Sequence, residues 1–161
     1  MISDNHHTRR KLHTRNIEIF TYEYDDKSIV AEGARTVHHM VIQMRIECSS
    51  LTIKEIKVEM PGVPYEACKE TAGSLDAVEG LRIAPGFTSK VRKILGKNKR
   101  CLHLTTLLLA MAPAVMQGYK VFNDTQPSSS EIPSDVMENY VVDSCWVWRK
   151  GGALANGLNP D

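Results

Sequence analysis

The sequence predicts a single α+β domain, an antiparallel sheet of three or more strands with helices packed on one face. Three observations carry this. Met40, Ile42, Met44 and Ile46 alternate with Gln43, Arg45 and Glu47, the two-residue period of a half-buried strand. Behind the turn residues Cys48-Ser49-Ser50-Leu51, Ile56, Val58 and Met60 alternate with Lys57 and Glu59, so the two segments read as antiparallel partners ended by Pro61-Gly62. Leu104, Leu107, Leu108, Met111 and Val115 then recur at helical spacing and give one long core helix. A chain of 161 residues has room for one such domain and excludes two independent catalytic ones.

The remaining elements follow in chain order. Residues 1–14 form a polar N-terminal arm with His6, His7 and His13 and no apolar core of a signal peptide, so export is not expected. From Asn16 to Tyr24, Ile17, Ile19 and Thr21 share one side and Glu18, Phe20, Tyr22 and Tyr24 the other, a first strand rich in β-formers. Residues 25–36 are polar and contain Gly33, which leaves a loop or an extra strand open. Pro64 at a first turn, then Tyr65 to Ala72 with Gly73 after it, predicts a short helix with Cys68 in its middle. A second helix starts at Thr88 as cap, carries Val91, Ile94 and Leu95, and stops at Gly96. Pro113 should kink or loosen the far end of the third, core helix. Residues 126–133 are a loop or linker, 141–148 a short β-like or irregular segment, and 151–161 a flexible tail.

Composition excludes several function classes. Twenty basic and 19 acidic side chains give a net charge of +1, no field for nucleic acid or an anionic membrane surface. The basic run from Lys90 to Arg100 lacks the aromatic residues of a stacking platform and reads as a solvated helix face. The longest apolar stretch, Leu104 to Met116, is well short of the ~20 residues of a membrane helix. Walker, Rossmann and Gly-x-Ser-x-Gly patterns are missing. A cytoplasmic protein is expected, its partners unassigned and a homo-oligomer left open.

Chemistry concentrates at element ends. His38-His39 precede a strand, Cys68 sits in the first helix, and Cys101-Leu102-His103 open the core helix. Thiolate and imidazole together suit zinc, or iron alone or in an iron–sulfur cluster. His38, His39, Cys68, Cys101 and His103 are therefore the candidate metal ligands, although no Cys-x-x-Cys pair marks a zinc finger. Burial of the cysteines in the core is the competing account, since Cys is among the most buried residue types. Cys101 and His103 stand about 200° apart at ~100° per residue, so both reach one ion only if Cys101 precedes the helix. An alternative is enzymatic or sulfur-transfer chemistry, with Cys101 as nucleophile assisted by His103 or His39. A cysteine at a helix N-terminus beside cations is the setting of a reactive thiol, and Lys99 and Arg100 supply the cations. A third reading is a non-catalytic binding module walled by Trp146, Trp148 and the core helix; Cys145 lies beside the tryptophans, for which sheet-edge packing is the simpler role.

The ordered motifs His38-His39-Met40, Glu59-Met60-Pro61 with Pro64 and Cys68, Gly80-Leu81-Arg82-Ile83 with Gly86-Phe87, and Cys101-x-His103-Leu104 with Met111-Ala112-Pro113-Ala114 and Gln117-Gly118 resemble a bacterial domain-of-unknown-function family from about Arg15 to Gly118. Arg100 stands where that family is expected to carry Gly. More distantly, the order strand, hairpin, Cys on a short helix, further helix, then Cys opening a long helix is similar to the U-type iron–sulfur scaffold proteins. That resemblance implies three cysteines and an acidic residue around zinc or a nascent cluster, with Cys68 at the second cysteine, Cys101 at the third, and the first position near His38 and His39, where this chain has no Cys.

Overall fold

Residues 25–36, left open between loop and strand, contain a full strand, and the reason it is hard to read is the reason it matters. In the computed structural model, which describes residues 11–25, 27–96, 101–125, 142–143 and 148–152, the sheet is a four-stranded antiparallel meander in the order β1 (Ile17–Asp25), β2 (Ser28–Arg35), β3 (Met40–Glu47) and β4 (Thr52–Glu59). Strand β2 turns Ile29, Ala31, Gly33 and Arg35 toward the helices. Two of these four are small because the long helix crosses here: a Cβ added at Gly33 would lie 2.7 Å from Met111 Sδ and 3.2 Å from Leu107 Cδ1. The inward face therefore carries little of the large-apolar signal by which a strand is recognised.

β3 is as expected, with Met40, Ile42, Met44 and Ile46 fully buried. In β4 the inward set begins at Ile53 and resumes at Ile56, because the pairing slips by one residue between Ile46↔Ile53 and Arg45↔Glu55 and leaves Lys54 unmatched. The bulge reverses the phase of the strand, so Ile53 and Ile56, three apart, both point inward. The outer edge of β4 is covered. Ile53 N–H donates to the Leu81 carbonyl at 3.0 Å, Ile83 N–H to that of Leu51 at 2.9 Å, and Ile56 N–H to the Glu79 carboxylate at 2.9 Å. These bonds take up two donors and an acceptor that an edge would otherwise leave open to another chain.

The first helix is longer and tighter than its sequence suggests. Glu66–Val78 is a 3-10 helix, and Gly73 does not end it. Ala72, Leu75 and Val78 repeat every three residues and face the core, the period of a 3-10 helix rather than an α-helix. Thr71 Oγ1 donates to the Cys68 carbonyl and Ser74 Oγ to that of Thr71, both at 2.6 Å, which supports the tight winding. Helix α1 (Phe87–Leu95) begins one residue before Thr88; Gly86 at φ 85° precedes it with no side-chain cap, and Phe87, Val91 and Leu95 are buried while Ile94 faces solvent. Gly96 follows at φ 59°, a conformation that favours glycine.

Helix α2 (Leu102–Thr125) is the core element expected. Leu104, Leu107, Leu108, Met111 and Val115 are fully buried, and the helix continues through the exposed Pro113. It lies across β1 and β2, with Leu107 and Met111 over Gly33 and Gly118 against Thr21, so it runs antiparallel to β2 and brings its N-terminus to the Arg35 end of that strand. The opposite face of the sheet carries Phe20, Tyr22 and Tyr24, all exposed, with Arg45 over the Tyr24 ring at 5.8 Å. No described helix is long and apolar enough to cross a membrane. Cys145, Trp146, residues 126–133, Lys97 to Arg100 and most of the terminal arm and tail lie outside the described residues.

Candidate functional site

Arg35 closes β2 on the helix-facing side, where the rest of the strand buries Ile29, Ala31 and Gly33. Only 6% of it is exposed, and its Nε and Nη1 have no hydrogen-bond partner among the described residues. A buried guanidinium is ordinarily matched by a carboxylate, because desolvation of an unpaired charge costs several kcal/mol. Here the groups that act on it are the Arg15 cation and the Cys101 thiol. Burial first, and then Arg15, hold the Arg35 guanidinium below its ordinary pKa.

The hairpin that follows aims a second side chain at the same place. His38 and His39 occupy the left-handed region, at φ 66° and 27°, in the four-residue connection from Arg35 to Met40. This conformation is uncommon for residues other than Gly, although Asn, Asp and His adopt it more readily than most. It splits the two histidines. The His38 ring lies 4.6 Å from that of His103, tilted by 37°, whereas the His39 Cβ stands against Gly62, where an added Cβ would sit 2.7 Å away.

The third contribution is the start of α2. Cys101 directly precedes the helix, as the spacing of Cys101 and His103 required for a shared site; its carbonyl accepts from Thr105 N–H at 3.0 Å and Thr105 Oγ1 at 3.1 Å. The N–H groups of Leu102, His103 and Leu104 therefore have no acceptor within the helix and stand at its positive end. The imidazole of His103 is held below its ordinary pKa by burial first, then by Arg35, His38 and Arg15. Every charged group acting on His103 is a cation or can become one.

The unfolded chain takes up the His103 proton near pH 6.5, at a higher pH than the native state does. Its contribution to stability is thus complete above that pH and is lost progressively as pH falls from there through the lower native pKa. In anion-free buffer the melting temperature should drop more steeply between pH 7 and 5 for the wild type than for His103→Gln. Equal slopes by calorimetry would show a solvated imidazole remote from these cations.

Among the described residues, no three of His, Cys, Asp or Glu are grouped so as to hold a metal ion. His38, His103 and Cys101 come to one end of the fold. His39 turns to Gly62, and Cys68 sits half-buried in the 3-10 helix, which packs on β4. Arg35 and Arg15 were not visible as site residues from the sequence; the signal for Arg35 is its phase, since it continues the inward series Ile29, Ala31, Gly33. Cys48 is buried, and burial followed by the Asp25 charge pushes its thiol up to about 11. Away from these residues, a concavity of about 320 Å³ lies between β1 and the far half of α2, lined among others by Thr21, Ile29, Gly118 and Phe122, with no cationic side chain.

Comparison with known proteins adds one finding. A family model described as a protein of unknown function (DUF2889) matches residues 18–117. The chain belongs to the DUF2889 family. The match runs from β1 through most of α2 and so includes Arg35, His38, Cys101 and His103. No curated protein and no solved structure matches the chain. Its likeness to the U-type scaffold proteins therefore rests on element order alone, and the DUF2889 description assigns no activity.

Proposed function

We propose that this DUF2889 domain is a binding protein for a small acidic ligand, which it holds at the junction of the β2–β3 hairpin and the α2 N-terminus. The observation that carries the reading is the buried Arg35 guanidinium with Nε and Nη1 unpartnered, facing His103 and Cys101 rather than a carboxylate. Each of these is a charged N–H donor able to meet an oxyanion oxygen. The positive end of α2 and the His103 ring face the same anion. An anion there supplies the missing partner of the guanidinium and allows His103 to take a proton.

A zinc or iron ion on His38, Cys101 and His103 is the competing occupant. Arg35 and Arg15 beside those ligands oppose a cation, which is why the anion is the preferred reading.

The test is thermal stabilisation of the full chain by a panel of acids (acetate, malonate, inorganic phosphate) with zinc and iron run in parallel. A ligand specific for the native state raises the melting temperature in proportion to ln(1 + [L]/Kd). At least one acid is expected to do so. The response should weaken about ten- to a hundredfold in Arg35→Met, which removes charge-assisted hydrogen bonding worth about 1.5–3 kcal/mol. Stabilisation by zinc or iron alone, lost in Cys101→Ser and His103→Gln, would overturn the anion reading in favour of the metal.

A further inference from the structure

We infer that this chain forms a two-fold dimer in which β1 pairs antiparallel with β1 of a second copy, so that two four-stranded sheets become one continuous sheet. The inference uses none of Arg35, His38, Cys101 and His103 and does not depend on the ligand reading above.

The first argument is the state of the edge. Thr36 N–H donates to the Asn16 carbonyl at 3.3 Å, and these two residues continue the register that pairs Ile17 with Arg35. Hydrogen bonding alternates along an antiparallel ladder, so Glu18, Phe20 and Tyr22 turn their backbone N–H and C=O groups to β2. Those of Ile17, Ile19, Thr21 and Glu23 then point away from the sheet. The bond from Cys48 N–H to the Lys27 carbonyl agrees, since it assigns the odd-numbered residues of β2 to β3 and leaves the even-numbered ones for β1. Among the described residues no backbone group meets the outward four. The β4 edge is covered by residues 79–83 and carries Lys54 and Lys57, whereas β1 has no lysine, no proline and three exposed aromatic rings. An edge in that state is a template for another strand.

The second argument is which strand fits. A two-fold pairing centred on Phe20 engages all four outward residues at once: Ile17 lies opposite Glu23, and Ile19 opposite Thr21, each pair occurring twice. Phe20 meets its own copy on the axis, at a non-hydrogen-bonded position where cross-strand side chains are closest. Glu18 lies opposite Tyr22 of the second copy, and Glu23 diagonally across from its Arg15. Neither carboxylate faces another. The strand is acidic, yet in this register it is complementary in charge to itself.

The concavity between β1 and α2 supplies the third argument. Thr21 and Glu23 line it from the strand, Gln117, Val121 and Phe122 from the helix, and Val121 is 63% exposed. Residues opposite one another in a ladder share a face, so the second copy's Ile19 and Ile17 come to its mouth beside Thr21 and Glu23. Both isoleucines are only half-buried in a single copy. The pairing thus brings apolar side chains to an apolar wall.

Sedimentation velocity of the full chain over a range of concentrations, joined to amide hydrogen exchange by NMR, tests the pairing. The amides of Glu18, Phe20 and Tyr22 should be protected at every concentration, and those of Ile17, Ile19, Thr21 and Glu23 only where the dimer is populated. Phe20→Lys, which opposes two ammonium groups on the axis, should raise the dimer dissociation constant about tenfold or more, while Phe20→Tyr should leave it within about threefold. Continued protection of the Glu18 and Tyr22 amides shows that Phe20→Lys is folded. A chain that stays monomeric up to its solubility limit would overturn the inference. So would a dimer whose four outward amides exchange freely, because its interface would lie elsewhere, and so would a dimer indifferent to Phe20→Lys.

Discussion

Arg35→Met is expected to raise the melting temperature of the ligand-free protein while it removes the response to acids. The wild-type guanidinium is buried with Nε and Nη1 unpartnered among the described residues, and the Arg15 cation acts against its charge. Replacing buried ionic groups with apolar side chains of similar volume is commonly neutral or stabilising by about 1–4 kcal/mol. Met is unbranched and flexible enough to follow the path of the arginine stem between Ile17 and Met40, its cross-strand neighbours. A gain of about 2 kcal/mol corresponds to about 5 °C in a domain of this size. Arg35→Ala would not serve, since a cavity would mask the electrostatic gain. Differential scanning calorimetry in a buffer free of phosphate and carboxylate measures the effect. A clear fall in melting temperature would mean that the guanidinium is paired in solution and belongs to the structure rather than to a ligand. A rise identifies Arg35 as a residue maintained at a cost to stability, a common property of binding and catalytic groups.

What the sequence disclosed and what it concealed divide along a physical line. β1, β3, β4 and α2 were legible because each carries large apolar residues at the period of its own element, Met40 to Ile46 and Leu104 to Val115 most clearly. β2 was not, because its inward face was spent on Ala31 and Gly33 to admit α2, and on Arg35. The 3-10 helix was cut short in reading since Gly73 is a stop signal for an α-helix, while the three-residue repeat of Ala72, Leu75 and Val78 marks a different winding. At the site, Cys101 and His103 could be placed at a helix start from local pattern. Which of His38 and His39 joins them could not, for it depends on two consecutive left-handed backbone conformations that send one ring to His103 and set the other against Gly62. Arg35 was concealed by the same ambiguity that concealed its strand. Residue type pointed to thiolate and imidazole, hence to metal; three-dimensional placement adds the guanidinium, on which the proposal of an anion rests.

Gly118→Val should destabilise the domain by about 3 kcal/mol and weaken ligand binding at the opposite, N-terminal end of α2. Helix propensity alone argues weakly the other way, since Gly in a helix interior is about 0.8–1.0 kcal/mol worse than Ala and β-branched residues lie between them. Packing decides the sign. A Cβ at Gly118 would fall 2.6 Å from Thr21 Cβ and 2.8 Å from Thr21 Cγ2, as well as against Thr21 Oγ1. Rotation about χ1 relocates Oγ1 and Cγ2, but Cβ is fixed to the β1 backbone, which is paired along its length with β2. The strand or the helix must therefore move, and overpacking of this kind typically costs about 1–3 kcal/mol, more when a branched side chain is added. Gly118→Ala should show a smaller loss of the same sign. The double variant with Thr21→Gly, which removes the opposing Cβ, should recover at least about 0.5 kcal/mol of the Ala penalty beyond additivity. Because Leu107 and Met111 seat the same helix on Gly33, lifting its far half tilts Cys101 and His103 relative to Arg35 and His38. The affinity for the acidic ligand should then fall along with the melting temperature. A melting temperature for Gly118→Val within about 1 °C of wild type would show that α2 does not approach β1 this closely, and would remove the support on which the geometry of the site depends.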